Sequence, residues 1–129
     1  MTYLLFILFI FASSTVFGQS EEMLDCSYYK TGRFVLSAPE GDQIKIKRTK
    51  KYQIETYNKA HKKHKFKIEW TSECEYILTL LKTTSANNEV LVGKGLLCKI
   101  LSGEESYYSC IIISPEHPAG RKCELTKLR

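Results

Sequence analysis

The five cysteines are the residues of this chain whose types and spacing point most directly to a chemistry. They are Cys26, Cys74, Cys98, Cys110 and Cys123. In an exported chain they would meet an oxidising compartment, where disulfides persist. Five is an odd number, so one cysteine is left over. The sequence has no C-x-x-C motif and no closely spaced cysteine and histidine, so we expect disulfides and neither a metal nor a cofactor.

Two disulfide pairings follow from the positions of the cysteines. Cys98 and Cys110 each lie six residues from Glu104, and a hairpin that turns at residues 102–105 would place them opposite each other within bridging distance. Cys26 paired with Cys74 would join the N-terminal segment to the middle of the chain. The first pairing has the stronger geometric argument, and the positions do not say which cysteine stays unpaired.

The carboxylates and the leftover thiol do not form a catalytic pattern. The sequence has no nucleophile elbow, phosphate loop or zinc motif, and no paired carboxylates at a recognisable spacing. Glu73 and Glu75 flank Cys74 and are most simply surface charges. A free cysteine would lack a neighbouring histidine to activate it. We therefore expect a protein that is not an enzyme, without catalytic residues.

The segment 45–67 is strongly basic, with ten lysines or arginines and one glutamate. Such a segment can hold an anionic partner, for instance an anionic polymer, or it can solvate the outer face of exposed hairpins. Lysine predominates over arginine, which favours solvation. The candidate basic surface consists of Lys45, Lys47, Arg48, Lys62, Lys63 and Lys65. His61 and His64 lie among these lysines, and we expect both in an exposed loop.

Strands are the elements that must position these residues. Phe66, Ile68 and Trp70 alternate with charged residues, and after a polar corner Tyr76 and Leu78 continue an alternation of apolar and other residues. A period of two is typical of half-buried strands. This central pair of strands contains the only tryptophan, and we expect it in the middle of the sheet.

Further strands are predicted on both sides of this pair. Short alternating segments are separated by turn residues, and no segment has the periodicity of a stable helix. We predict an all-β fold, a single-domain antiparallel meander of about eight short strands that curls into an open or closed barrel. The abundant aromatic residues should fill its interior or line a ligand cavity. The cavity candidates are Phe34, Tyr52, Phe66, Trp70 and Tyr76.

The first eighteen residues have the pattern of a secretory signal peptide. They contain no charged side chain, and an apolar run from Tyr3 to Phe11 is followed by small and polar residues. The run is too short to span a bilayer, and no later segment is apolar enough. We expect a signal peptide over residues 1–18, a single barrel-like domain over residues 19–129, and export to the periplasm or the cell exterior.

Three segments carry a resemblance to a known group of proteins. They are Cys26 followed by Tyr29-Lys30-Thr31-Gly32-Arg33-Phe34, then Ile46-Lys47-Arg48 with Gln53-Ile54-Glu55, then Ile68-Glu69-Trp70 with Cys74-Glu75-Tyr76-Ile77-Leu78. They resemble small exported bacterial proteins without an assigned function, some of which carry a name borrowed from DNA topoisomerase IV. The resemblance covers about residues 26–81 and implies no catalytic motif. The Gly-x-Phe opening and the meander are also similar in outline to lipocalin-like barrels.

These observations lead to two expectations about function. The first is a non-enzymatic exported barrel that binds a small apolar ligand, because of the lipocalin-like outline and the aromatic strands. The alternative is an envelope or surface interaction protein that binds an anionic partner through the basic segment 45–67.

Overall fold

The computed structural model describes residues 24–38 and 41–129. Within them, eight antiparallel strands form one closed barrel, in which each strand pairs with the next along the chain. The strands are β1 (Gly32–Ser37), β2 (Gln43–Arg48), β3 (Tyr52–Tyr57), β4 (Lys63–Ser72), β5 (Glu75–Thr83), β6 (Gly95–Gly103), β7 (Tyr107–Ser114) and β8 (His117–Leu128). The predicted all-β meander is confirmed, and the barrel is closed rather than open.

Closure depends on the last strand, which pairs with the first. Arg33 lies opposite Leu128 and Leu36 lies opposite Leu125. A closed barrel leaves no strand edge with unpaired backbone groups. Along each strand the side chains alternate, so that in β2 Ile44 and Ile46 are buried while Lys45 and Lys47 are exposed. The inward side chains of all eight strands therefore form one core.

A short N-terminal arm, residues 24–30, covers the end of the barrel that we call the sealed end. The β2–β3, β4–β5 and β6–β7 turns lie at this end. The arm contains a 3-10 turn, Ser27–Tyr29, and a disulfide joins Cys26 to Cys74 in the β4–β5 turn. The hydroxyl of Tyr29 donates to the backbone carbonyls of Glu104 and Tyr107. The predicted pairing of Cys26 with Cys74 is confirmed, and it fixes the arm on the barrel.

Gly103 lets the Tyr29 side chain reach these carbonyls. A Cβ atom on Gly103 would lie 2.5 Å from the Tyr29 hydroxyl, closer than real Cβ contacts. A glycine is therefore required where the tyrosine crosses the end of β6.

The opposite end, which we call the open end, carries the other four connections. A 3-10 helix, Ala86–Leu91, lies between β5 and β6, and Leu91 packs against the core. The carboxylate of Asp42 accepts hydrogen bonds from the backbone N–H groups of Gln43, Lys59 and Ala60. These hydrogen bonds lower the pKa of Asp42, with that from Lys59 the largest cause. Asp42 thus ties the β1–β2 and β3–β4 loops together.

The β6–β7 hairpin has a different register from the predicted one. Ile100 lies opposite Cys110 and Cys98 lies opposite Ile112, with a bulge between Ile100 and Ser102. Cys110 instead lies directly across from Cys123 on β8, and these two form the second disulfide. Cys98 is unpaired and buried. The predicted Cys98–Cys110 disulfide is therefore wrong, because the hairpin turns at residues 104–106 and not at 102–105, which moves the partner of Cys98 two residues along β7; the order of the strands is as expected.

The predicted signal peptide, residues 1–18, lies outside the described residues. Within the described part of the chain, no helix has the length and apolar character that crossing a bilayer requires.

Candidate functional site

Arg48 lies inside the barrel at the sealed end and is almost completely buried, at 2% exposure. Its guanidinium donates hydrogen bonds to four oxygens. The acceptors are Gln53 Oε1 (2.8 Å), the Tyr29 carbonyl (2.8 Å), and the hydroxyls of Tyr76 (3.2 Å) and Tyr108 (2.9 Å). A buried charge of this kind is tolerated only when hydrogen bonds replace its lost hydration.

Aromatic rings complete the surroundings of Arg48. The guanidinium carbon lies 4.6 Å from the ring centroid of Phe34, 4.8 Å from that of Tyr76 and 5.8 Å from that of Tyr108. Cation–π attraction therefore adds to the hydrogen bonds. Burial raises the pKa of Tyr76 and of Tyr108, so both phenols stay neutral next to the guanidinium.

Gln53 connects this cluster to the middle of the barrel. While its Oε1 accepts from Arg48, its Nε2 donates to Glu55 Oε2 at 2.8 Å. Glu55 is the next inward residue of β3 toward the open end. Burial raises the pKa of its carboxyl group, more than the hydrogen bond from Gln53 and the charge of Arg48 lower it.

His64 faces Glu55 from the neighbouring strand. The two residues are directly opposite each other in the β3–β4 register, and both side chains point inward. His64 is 4% exposed, and its Nδ1 lies 2.8 Å from the Thr83 hydroxyl. Burial, followed by the charge of Lys62, lowers the pKa of His64 and favours the neutral ring. The expectation that His64 lies in an exposed loop is wrong; His61 is exposed at the β3–β4 turn.

A cavity occupies the open half of the barrel and reaches the loops of the open end. Its inward lining is mainly apolar, with Leu36, Ile44, Phe66, Leu78, Leu80, Leu91, Leu96, Ile112 and the Cys110–Cys123 disulfide. Glu55, Tyr57 and His64 are polar residues of this wall. The volume of the cavity together with the grooves connected to it is about 1420 Å³. Part of this volume lies outside the barrel, because residues 121–124 all border it and successive residues of a strand face opposite sides.

The five aromatic cavity candidates divide between several places. Phe66 lines the cavity. Phe34 and Tyr76 are buried against Arg48 at the sealed end, outside the cavity. Trp70 is half-buried beside Tyr76, with ring centroids 4.7 Å apart. Tyr52 lies on the outer surface at 41% exposure, so its predicted place in the interior is wrong.

The basic candidates are on the outer surface with one exception. Lys45, Lys47, Lys63 and Lys65 are exposed and Lys62 is half-buried, whereas Arg48 points into the barrel. The assignment of Arg48 to the basic surface is therefore wrong. β2 ends with Arg48 in the inward register of Ile44 and Ile46, and the alternation that exposes its lysines buries this arginine.

Gln53, Glu55 and His64 are interior residues that the sequence patterns did not identify. In β3 the inward row is the polar one, while Tyr52 and Ile54 face outward. The alternation in β3 identifies two faces, and only the pairing with β4 in the structure shows which face points inward. β3 pairs with β4 so that Gln53 lies opposite Phe66 and Glu55 opposite His64, which places all four side chains on the inner face.

Comparison of the chain with protein-family models, with curated proteins and with solved structures found no match in any of the three. The similarity to lipocalins and to the small exported bacterial proteins stays a prediction. Among residues 24–38 and 41–129, no group of three or more potential ligands is placed to hold a metal ion.

Proposed function

We propose that the protein binds a small, largely apolar molecule in the cavity of the open half of the barrel. The observation that carries this proposal is the wall of the cavity, where inward aliphatic side chains surround a few polar groups. Sites for small molecules commonly have this composition, because apolar walls supply affinity and a few polar groups orient the ligand. Eight-stranded barrels are wide enough to hold one small ligand.

The difference between the two ends supports this location. At the sealed end, the arm and the Arg48 cluster occupy the interior. At the open end, the cavity reaches the loops, where Ala38, Lys62, Asn88 and Pro115 border it. A ligand would therefore enter between these loops.

The proposed role is binding without catalysis. Cys98 is the free thiol of the described residues, and it does not border the cavity. Burial raises the pKa of its thiol to about 12. The thiolate, which is the nucleophilic form, is therefore scarce at neutral pH.

Titration with N-phenyl-1-naphthylamine, a neutral fluorophore that brightens in apolar sites, tests the proposal. We expect saturable binding of one fluorophore per chain. Leu96→Trp and Ile112→Trp, tested separately, should each weaken binding because they fill the cavity. Val90→Trp is the matched control, since Val90 is 72% exposed and does not border the cavity. Absence of saturable binding, or binding that a folded cavity-filling variant leaves unchanged, would contradict the proposal.

The alternative, binding of an anionic polymer, is favoured by one specific arrangement on the outer surface. Arg33, Lys47, Lys65 and Lys82 form a row across β1 to β5, with Ile54 between the two middle lysines. All four are exposed, and none takes part in the ion pairs found among the described residues. Adjacent strands are about 4.8 Å apart, so the row presents closely spaced, uncompensated positive charge.

Binding of dextran sulfate tests this second function. Under this hypothesis, binding should weaken steeply as salt is added. Lys65→Glu should bind more weakly than Lys122→Glu, which makes the same change of charge at an exposed lysine on β8. Binding that is insensitive to salt, or equal in both variants, would exclude the row as a polyanion site.

A further inference from the structure

Glu55 is the acidic side chain that borders the interior of the cavity on β3. Its Oε2 accepts a hydrogen bond from Gln53, and none of the ion pairs among the described residues includes it. Its partial exposure is toward the cavity, because it is one of the lining residues. A carboxylate in apolar surroundings is costly unless a positive group or further hydrogen-bond donors approach it.

The protein's own buried cation does not fill this role. Arg48 donates to Gln53, to the Tyr29 carbonyl and to the hydroxyls of Tyr76 and Tyr108, and Gln53 stands between Arg48 and Glu55. The guanidinium is thus held at the sealed end.

The other neighbours of Glu55 do not neutralise it either. Ile46 lies opposite it on β2, and His64 lies opposite it on β4. Burial favours the neutral form of His64. On its own strand, Gln53 and Tyr57 precede and follow it on the inner face. Other charged side chains border the space at the loops and along β8, and they are Lys62, Lys94, Glu116, Arg121, Lys122 and Glu124.

We propose that the cavity selects apolar ligands that carry a protonated amine, and that Glu55 is the residue that binds the ammonium group. This inference rests on the proposed binding function and specifies its ligand class. An ammonium supplies the positive charge that the carboxylate lacks and N–H donors in addition to that of Gln53, while the aliphatic walls accept the tail. A fatty acid would bring a second carboxylate to Glu55 and would be disfavoured there.

Three probes of equal chain length separate the contribution of the head group from that of the tail. Isothermal titration calorimetry at neutral pH would compare octylammonium, octanol and octanoate. We expect octylammonium to bind about tenfold more tightly than octanol, a typical gain for a hydrogen bond to a charged group, and octanoate to bind most weakly. Glu55→Gln should remove the preference for the amine, whereas Glu69→Gln, on the exposed outer face of β4, should preserve it.

A pH series on the wild-type protein provides evidence that does not depend on a variant. As the pH falls and Glu55 becomes protonated, the affinity for octylammonium should fall while that for octanol stays constant. Constant affinity for both probes across this titration would overturn the inference.

The outcomes distinguish failure of this inference from failure of the proposed function. If all three probes bind equally and Leu96→Trp blocks them, the cavity binds ligands but Glu55 does not select amines. Tightest binding of octanoate would place the head group at cations such as Lys62 and Arg121 and would also overturn the inference. If no probe binds, both the inference and the proposed function are contradicted.

Discussion

The two ends of the barrel differ in how completely their inward polar groups are hydrogen-bonded. At the sealed end, the guanidinium of Arg48 donates to four oxygens and lies against three aromatic rings. Toward the open end, Glu55 accepts a hydrogen bond from Gln53, and its side chain also borders the cavity. Polar groups with complete partners stabilise and specify a fold, whereas a group with partners still to gain is suited to a ligand.

Gln53 marks the boundary between the two regions. Its amide accepts from Arg48 on one side and donates to Glu55 on the other, and it is 2% exposed. The comparison therefore predicts that changes at the sealed end affect mainly stability, while changes beyond Gln53 affect ligand binding as well as stability.

The largest expected effect is that of Arg48→Met. The substitution leaves the Tyr29 carbonyl and Gln53 Oε1 without their donor and removes the hydrogen bonds to the hydroxyls of Tyr76 and Tyr108, so it should lower the free energy of unfolding by about 3–5 kcal/mol. Lys47→Met, one residue earlier and exposed, is the matched control and should change stability little. Urea denaturation measures both. A loss below about 1 kcal/mol for Arg48→Met would mean that the cluster does not stabilise the sealed end.

Next come the two disulfides, one at the sealed end and one in the wall of the cavity. The Cys26–Cys74 bridge spans 48 residues and the Cys110–Cys123 bridge spans 13. Chain entropy predicts losses of about 4 and about 3 kcal/mol when each pair is replaced by serine. Thermal unfolding should rank the variants in this order. The reverse order would indicate that the arm contributes less than the closure of β7 on β8.

Glu55→Gln should raise stability at neutral pH. Burial raises the pKa of Glu55 in the folded protein above its value in the unfolded chain, about 4.3. The stability that the neutral carboxyl contributes is therefore complete below about pH 4.3 and is lost as the pH rises through the folded pKa. The melting temperature of Glu55→Gln should exceed that of the wild type at pH 7, and the difference should disappear on acidification. A difference that grows on acidification would contradict this account.

The smallest effect is expected at Cys98. Its thiol is buried beside the sealed-end cluster, and burial raises its pKa to about 12. Iodoacetamide should therefore not modify the native protein at neutral pH, although it should modify Cys98 once the chain is unfolded in urea. Mass spectrometry counts the alkyl groups. Rapid modification of the native protein would show that the interior opens around β6.

The periodicity of the sequence determined the fold class. In β2, β4 and β5 the inward residues are buried and their neighbours are more exposed, as a period of two requires. These patterns are local and survive any arrangement of the strands, so the all-β meander could be predicted. The Cys26–Cys74 pairing could also be predicted, because a cysteine in the arm and one in the β4–β5 turn lie at chain positions that a short arm can join.

Register and closure were decided by the tertiary structure. Alternation shows that two faces differ, but it does not show which face of β3 points inward, so Tyr52 is predicted to line the cavity although the inward residues are Gln53 and Glu55. The β6–β7 turn at residues 104–106 places Cys98 opposite Ile112, and the β7–β8 pairing places Cys110 opposite Cys123. In the sequence, Arg48 stands next to lysines of the outer surface. Only the barrel brings it to Tyr29, Tyr76 and Tyr108, because these residues are distant in sequence and meet through strand pairing and the sealing of one end.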